Sequence, residues 1–218
     1  MDKAFWTERW KRREIGFHQP HIHEQLKRFW PTLGLPVASA VFVPLSGKSC
    51  DMIWLATQGH RVIGVELSEV AVQEFFKDGG QTPEVRSEGP FDVFSAGPFN
   101  LYRGDFFETP AEILKDIVAV YDRAALVALP PQLRARYAEK LTHIIPQKAL
   151  IFLVALDYPE NEISGPPFSV TRSEVERLYG DTFDIQVLEA RDGLEASGNL
   201  RRRGVTRLQE TAYLLRRR

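Results

Sequence analysis

Glu66 is the residue whose type and position carry the most chemistry in this chain. It ends the apolar run Arg61-Val62-Ile63-Gly64-Val65-Glu66 and follows Leu45 by 21 positions. Leu45 opens the turn Leu45-Ser46-Gly47-Lys48, which follows a second apolar run, Val41-Phe42-Val43-Pro44. A carboxylate about 20 residues past the first turn of a strand-turn-helix-strand unit can accept both hydroxyls of a ribose. A capping or salt-bridged acid at a strand end is the alternative. The turn holds a single glycine, and G-x-G-x-x-G is absent. Dinucleotides require close backbone approach to a pyrophosphate. A nucleoside cofactor without phosphate requires less, so the pattern disfavours NAD and FAD and admits S-adenosylmethionine. Lys48-Ser49 matches the end of a P-loop, but the spaced glycine before it is missing, which argues against an NTPase.

Other groups fall near strand ends. Asp122 and Arg123 follow the apolar run ending at Tyr121. Either residue could line a ligand pocket, and Arg123 could orient an anionic substrate; an ordinary ion pair fits equally well. Asp105-Phe106-Phe107 offers an acceptor for the exocyclic amine of adenine and an apolar face for its ring, or else core aromatics beside a loop acid. Trp6, Trp10 and Phe17 suit either a core or a lid over the crevice. His18, His21 and His23 lack a companion cysteine; surface or capping roles are expected, and no metal site.

Positioning such residues requires alternating strands and helices. The patterns predict strands at 40–44, 61–67, 116–121, 148–156, 183–188 and 210–215. They predict helices at 2–14, 21–30, 50–58, 68–78, 133–145 and 173–179, with Ser68 as an N-cap. Residues 79–104 read as a loop with a small hairpin, followed by a strand at 100–103. No helix is expected between 188 and 206, which predicts an antiparallel hairpin at the sheet edge. The expected fold is α/β and Rossmann-like, a mostly parallel sheet with that edge hairpin and helices on both faces.

The 218 residues, 44% hydrophobic and 26% charged, predict one globular domain. A net charge of −1 gives no field favouring nucleic acid or an anionic membrane. Arg201-Arg202-Arg203 and Arg216-Arg217-Arg218 read as solvated local runs. Cys50 is the only cysteine, so no intrachain disulfide can form. Neither a secretion signal nor a run of about 18 apolar residues is visible, so a cytoplasmic protein without a membrane partner is expected.

Taken together, several segments resemble the thiopurine S-methyltransferases, bacterial members most of all. These are Phe5-Trp6 with Trp10, Gly16-Phe17-His18-Gln19, 41–49, 59–69 and Gln73-Glu74-Phe75-Phe76, then 121–130 and Gly165-Pro166-Pro167-Phe168. The resemblance implies a class I methyltransferase fold over 1–218, with 1–36 as a helical lid. It implies S-adenosylmethionine as donor, S-adenosylhomocysteine as product, and methyl transfer to the sulfur of thiopurines and other aromatic or heterocyclic thiols. By position, Trp10, Leu45, Glu66 and Arg123 contact the donor, Trp6 and Gly47 lie beside it, and Asp105 and Phe106 sit at its adenine. Phe17, Pro167 and Phe168 border the acceptor, and Arg123 helps attract it. No dedicated catalytic base is implied. A second substrate-side arginine falls among Arg201, Arg202 and Arg203. The rival readings are a related enzyme acting on halide, selenium or tellurium species, and a non-catalytic binding protein on the same fold. A nucleic-acid methyltransferase would carry its Pro-Pro-aromatic motif near Asp122, not after the fifth strand, so no nucleic-acid partner is expected. With no unassigned apolar stripe, a monomer is expected.

Overall fold

The computed structural model describes residues 3–218; the helix start expected at Asp2 lies outside the described residues. Contacts divide the chain into two compact units, residues 1–119 and 120–218.

The first unit begins with α1 (Lys3–Lys11) and α2 (Glu24–Phe29). Both are shorter than expected. Past α1, Arg13 adopts a left-handed backbone (φ +57°) that a helix cannot continue. At α2, His23 is extended (φ −65°, ψ 128°), so the helix begins only at Glu24, and the His23 N–H donates instead to Asp51 Oδ1 (2.8 Å). Beyond α2, Pro31 stands in the first turn of a tighter 3-10 segment, Trp30–Leu33.

The sheet of this unit is built on β1 (Ala40–Pro44) and β2 (Arg61–Glu66). Every β1 residue is buried, as is every β2 residue after Arg61. Near-continuous apolar runs are what parallel strands covered on both faces require. The two strands pair in parallel, with Phe42 opposite Ile63. Between them runs α3 (Cys50–Thr57), whose N-cap Ser49 accepts from the N–H of Asp51. After β2, Ser68 caps α4 (Glu69–Asp78) by accepting from Ala71 N, as its sequence position suggested.

Residues 84–103 form a three-stranded meander: β3 (Glu84–Glu88), β4 (Phe91–Ala96) and β5 (Phe99–Arg103). The order is β3-β4-β5-β2-β1, with β5 parallel to β2 and the β3-β4-β5 pairs antiparallel. The meander is larger than the hairpin expected. Gly89 and Gly97, both with positive φ, make the two tight turns that short apolar runs alone did not reveal. β3 is exposed along its whole length and its polar side chains suit an edge.

The chain enters the second unit along β6 (Ile117–Asp122), which delivers Asp122 to the short helix α5 (Ala125–Ala128). Next come α6 (Pro131–Ile144), with proline at its first position, β7 (Leu150–Asp157) and α7 (Arg172–Tyr179). β8 (Phe183–Asp192), α8 (Gly198–Arg202) and β9 (Gln209–Arg217) complete the chain. The strand order is β6-β7-β9-β8, with β9 antiparallel to both neighbours. The antiparallel edge pair is therefore present, with the earlier strand outermost. One expectation needs correction: a helix does lie between 188 and 206. At five residues α8 is too short to show a period. It is held by Leu200, which packs with Val205, Leu208 and Tyr158. Among the described residues, no helix is long and apolar enough to cross a membrane.

Gly64 lies at the centre of β2 between Val43 and Leu101. A Cβ there would stand 2.6 Å from Leu101 Cδ2 and 2.9 Å from Ser46 Oγ. Gly64→Ala is therefore expected to destabilise the protein by about 1–3 kcal/mol, read as a lower urea midpoint at unchanged slope.

Candidate functional site

The turn after β1 is wound tightly. Leu45 has φ +46° and Gly47 φ +53°. For leucine such a backbone costs on the order of 1–3 kcal/mol and persists only where its surroundings impose it. Three hydrogen bonds impose it here. Ser46 N donates to Val65 O (3.0 Å). Gly47 N donates to Glu66 Oε2 (2.8 Å), and Ser68 N donates to Glu66 Oε1 (2.8 Å). One carboxylate thus ties the turn after β1 to the turn after β2. The Glu66 carbonyl also accepts from Gly104 N (2.9 Å), which sets Asp105 beside the same strand end. The capping reading of Glu66 is the one its hydrogen bonds show, and an ionised carboxylate has about four acceptor sites, which these bonds do not exhaust. Burial pushes the Glu66 carboxyl above its ordinary value, opposed by the N–H groups of Ser68, Gly47 and Leu67.

Trp10 covers this turn. It is only 3% exposed. Its Cζ2 lies 3.3 Å from where a Cβ on Gly47 would stand, so a side chain there would press on the indole. Trp10 meets Phe17 edge to face at 5.7 Å, Trp6 meets Phe17 at 5.4 Å, and Phe5 meets Trp6 at 5.4 Å. Trp10 belongs to the core, while Phe5, Trp6 and Phe17 are half-buried around it. Lys48 does not point to a phosphate role: its ammonium is paired with Glu74 (2.8 Å) and Asp78 (3.0 Å) on α4. Arg13 reaches the same Glu74 at 3.7 Å.

Asp105 caps a single 3-10 turn through Phe107 N (3.0 Å). Phe106 is buried and stacks on Phe42, with centroids 6.4 Å apart and planes at 13°. Its ring belongs to the core, while Asp105 stands at the strand end. Among the described residues, no group of three or more His, Cys, Asp or Glu is arranged to hold a metal ion.

The second unit holds the other sequence candidates. Asp122 is not a pocket-lining acid. Its Oδ1 accepts from Ala125 N (3.0 Å) and Leu126 N (3.2 Å), and its Oδ2 accepts from Tyr137 Oη (2.6 Å). It caps α5 and so fixes the turn that carries Arg123. Burial raises its carboxyl from 3.8 to about 6, against the pull of those three donors. α5 in turn holds the proline loop, because Phe168 N donates to Val127 O (2.7 Å). The loop carbonyls are also bound. Tyr158 Oη donates to Pro167 O (2.6 Å), and Arg203 donates to Pro166 O (2.7 Å) and Gly165 O (3.3 Å). Of the three arginines left open, Arg203 is the one on this loop. Arg134 lies beneath, its guanidinium 5.8 Å from the Phe168 ring centroid, bonded to Leu129 O and paired with Glu174. Sequence reasoning missed Tyr158 and Arg134. Tyr158 directly follows β7, where ligand groups gather in open α/β sheets, and that was its one available signal; Arg134 looked like any helix-surface arginine.

The family model described as Thiopurine S-methyltransferase (TPMT) matches residues 1–218. A thiopurine S-methyltransferase of Nitrosospira multiformis is 47% identical over 215 residues, spanning 99% of this chain and 98% of its own. One from Pseudomonas fluorescens is 48% identical over 215 residues, spanning 99% of each. Among solved structures, a SAM-dependent methyltransferase from Anabaena variabilis superposes with TM-score 0.65 at 13% identity, covering 99% of this chain and 95% of that one. The 1,6-didemethyltoxoflavin-N1-methyltransferase of Burkholderia thailandensis, bound to 1,6-didemethyltoxoflavin and S-adenosylhomocysteine, gives 0.63 at 13% identity over 98% and 87%. At such identities the structural likeness establishes the fold, the α/β class expected from the strand and helix pattern.

The Asp122 shift has a definite sign. A carboxyl whose value rises from 3.8 to about 6 on folding binds its proton more tightly in the folded state. Its contribution is greatest below the lower value and is lost as pH rises through that window, by about 3 kcal/mol in all. Asn cannot titrate. The stability advantage of the wild type over Asp122→Asn, read by urea unfolding, should therefore shrink by that amount between about pH 4 and pH 7. A pH-independent difference would show that Asp122 ionises normally.

Proposed function

The chain belongs to the thiopurine S-methyltransferase family, and we propose that it methylates the sulfur of thiopurines and other aromatic or heterocyclic thiols. The observation that carries this reading is the Glu66 carboxylate, held between Gly47 N and Ser68 N at the edge of a turn covered by Trp10. The family's donor is S-adenosylmethionine, which the residues fit. A buried carboxylate with acceptor sites to spare suits ribose hydroxyls, a side-chain-free Gly47 admits close approach, and aromatic faces suit a cation. The donor site proposed comprises Trp10, Leu45, Glu66 and Arg123, flanked by Trp6 and Gly47, with Asp105 at the adenine. For Phe106 the proposal is confined to its backbone, because its ring is stacked in the core.

When bound, the donor supplies an electrophilic methyl on a sulfonium, whose departure as a neutral thioether needs no protonation. The chain's own task is then alignment and exclusion of water. Glu66 would fix the ribose, and Trp10 would flank the sulfonium. Phe17, Pro167 and Phe168 would wall the acceptor, with Arg123 drawing in its anionic form. An aromatic thiol is acidic enough to ionise near neutrality, its proton passing to solvent, so no side chain is assigned as base. We further propose that 1–218 acts as one methyltransferase domain, as the unbroken family match suggests, with 1–36 as its lid. A cytoplasmic monomer belongs to the same reading. Among the described residues, the exposed large apolar side chains Val37, in the turn before β1, Ile53, on α3, and Val85, on β3, sit singly, as is usual for a monomer's surface.

The test is turnover followed by mass spectrometry with S-adenosylmethionine and a panel of 6-mercaptopurine, thiophenol, thiosalicylate, iodide and selenite. Methylated aromatic thiols are expected. Product from iodide or selenite alone would replace the acceptor assignment. Donor binding without turnover across many thiols would favour a binding protein.

Glu66→Ala should weaken donor binding about 10- to 100-fold by calorimetry, the range for losing hydrogen bonds to a charged group. Unchanged affinity would remove Glu66 from the donor site.

A further inference from the structure

We propose that Arg203, together with Tyr158, positions the loop Gly165–Phe168 and thereby sets selectivity for flat aromatic acceptors over small flexible thiols. The proposal rests on the acceptor role given above to Pro167 and Phe168.

The loop cannot order itself. Pro166 and Pro167 have no N–H, so two successive residues can contribute only carbonyl oxygens. Each carbonyl from Gly165 to Pro167 is bound by a side chain from elsewhere in the second unit. Arg203 takes Gly165 O (3.3 Å) and Pro166 O (2.7 Å), and Tyr158 takes Pro167 O (2.6 Å). A guanidinium fork can hold two neighbouring carbonyls at once, which an ammonium does less well. Burial pushes the Tyr158 hydroxyl above its ordinary value, which keeps it a donor. At the loop's end, the Phe168 N–H is anchored to Val127 O. Gly165 has φ +69°, and its missing Cβ would stand 2.4 Å from the Phe168 ring, so the ring is folded back onto the glycine.

Arg203 is itself firmly placed. It follows α8, and Leu200, Val205 and Leu208 pack around Tyr158 as a separate small core. Thr206 bonds both oxygens of Glu162 through its N–H (2.9 Å) and its hydroxyl. The segment 198–208 is thus a strap across the loop, and the exposed Arg203 is its contact with the proline carbonyls. Every partner in this arrangement, from Val127 to Leu208, lies within the second unit. The predicted consequence is an effect on acceptor binding rather than on the methyl-transfer step. A fixed phenylalanine ring discriminates by stacking on flat acceptors; a mobile one does not.

The experiment compares wild type, Arg203→Ala, Arg203→Lys, Tyr158→Phe and Phe168→Ala with 6-mercaptopurine and 2-mercaptoethanol as acceptors. Arg203→Ala should raise KM for 6-mercaptopurine about tenfold, the scale of one or two lost hydrogen bonds, and lower its preference over 2-mercaptoethanol. The kcat and the calorimetric donor affinity should stay within about twofold. Arg203→Lys should fall between. Tyr158→Phe should act in the same direction, and combining Arg203→Ala with Tyr158→Phe should cost less than the sum of the two, because both side chains hold one loop. Independently of turnover, amide exchange at Phe168 should accelerate in Arg203→Ala while exchange along β7 and β9 does not change. Unchanged KM and selectivity, or unchanged exchange at Phe168, would overturn the proposal. If Phe168→Ala raises the acceptor KM and Arg203→Ala does not, the positioning role alone fails. If Phe168→Ala has no effect on the acceptor, the acceptor-side reading fails with it.

Discussion

The bridge from the Glu66 carboxylate to the backbone N–H groups of Gly47 and Ser68 is the constraint on which the first unit depends. Without it two backbone donors in a tight turn and at a helix start would lose their partners, at about 1–3 kcal/mol each if they stayed buried. Its further effect is geometric. Gly47 is held where the Trp10 indole can lie against it, and the residue next to it, Lys48, is held where it reaches Glu74 and Asp78 on α4. Ser68, the other partner, is the N-cap of that same helix. Turn, helix and aromatic cover are consequently referenced to one buried acid. Burial disfavours its charge, and the donors around it favour it.

Asp122 repeats the device in the second unit. It too ends a strand, is buried, and receives the first N–H groups of the following helix. A third donor, the Tyr137 hydroxyl, is added from α6. The consequence runs onward through α5, whose Val127 carbonyl holds Phe168 N, so a strand-end carboxylate indirectly places an aromatic ring 46 residues later. In both units an acid at a carboxyl strand end organises local backbone rather than forming an ion pair. That is economical where a ligand must be approached by loops, because a capped turn is rigid without large side chains in the way.

For the family's chemistry this division of labour is apt. A sulfonium needs no acid to help its leaving group depart, so selectivity and alignment are what the protein contributes. The loop proposed to border the acceptor is proline-rich and held by side chains at its carbonyls, so single substitutions in the second unit can alter how it is held.

Much of this was legible in the residues. β1, β2, α3 and α4 follow from apolar runs, their lengths and the Ser68 cap, because those signals are local. The importance of Glu66 followed from its spacing after Leu45, and the family from motifs spread along the chain. Other features were closed to any local pattern. The 84–103 meander depends on two positive-φ glycines in turns, and α8 on a three-residue contact with Tyr158. Asp122 was ambiguous because a pocket acid and a helix cap share one sequence. Which of Arg201, Arg202 and Arg203 lies on the proline loop turned on which side chain reaches Pro166 O, a partner 37 residues away. The sequence by itself determined which elements form and which strand ends carry carboxylates, since periodicity and capping act within a few residues. Only the tertiary structure decided what those carboxylates and arginines bind, because hydrogen-bond partners are set by approach in space.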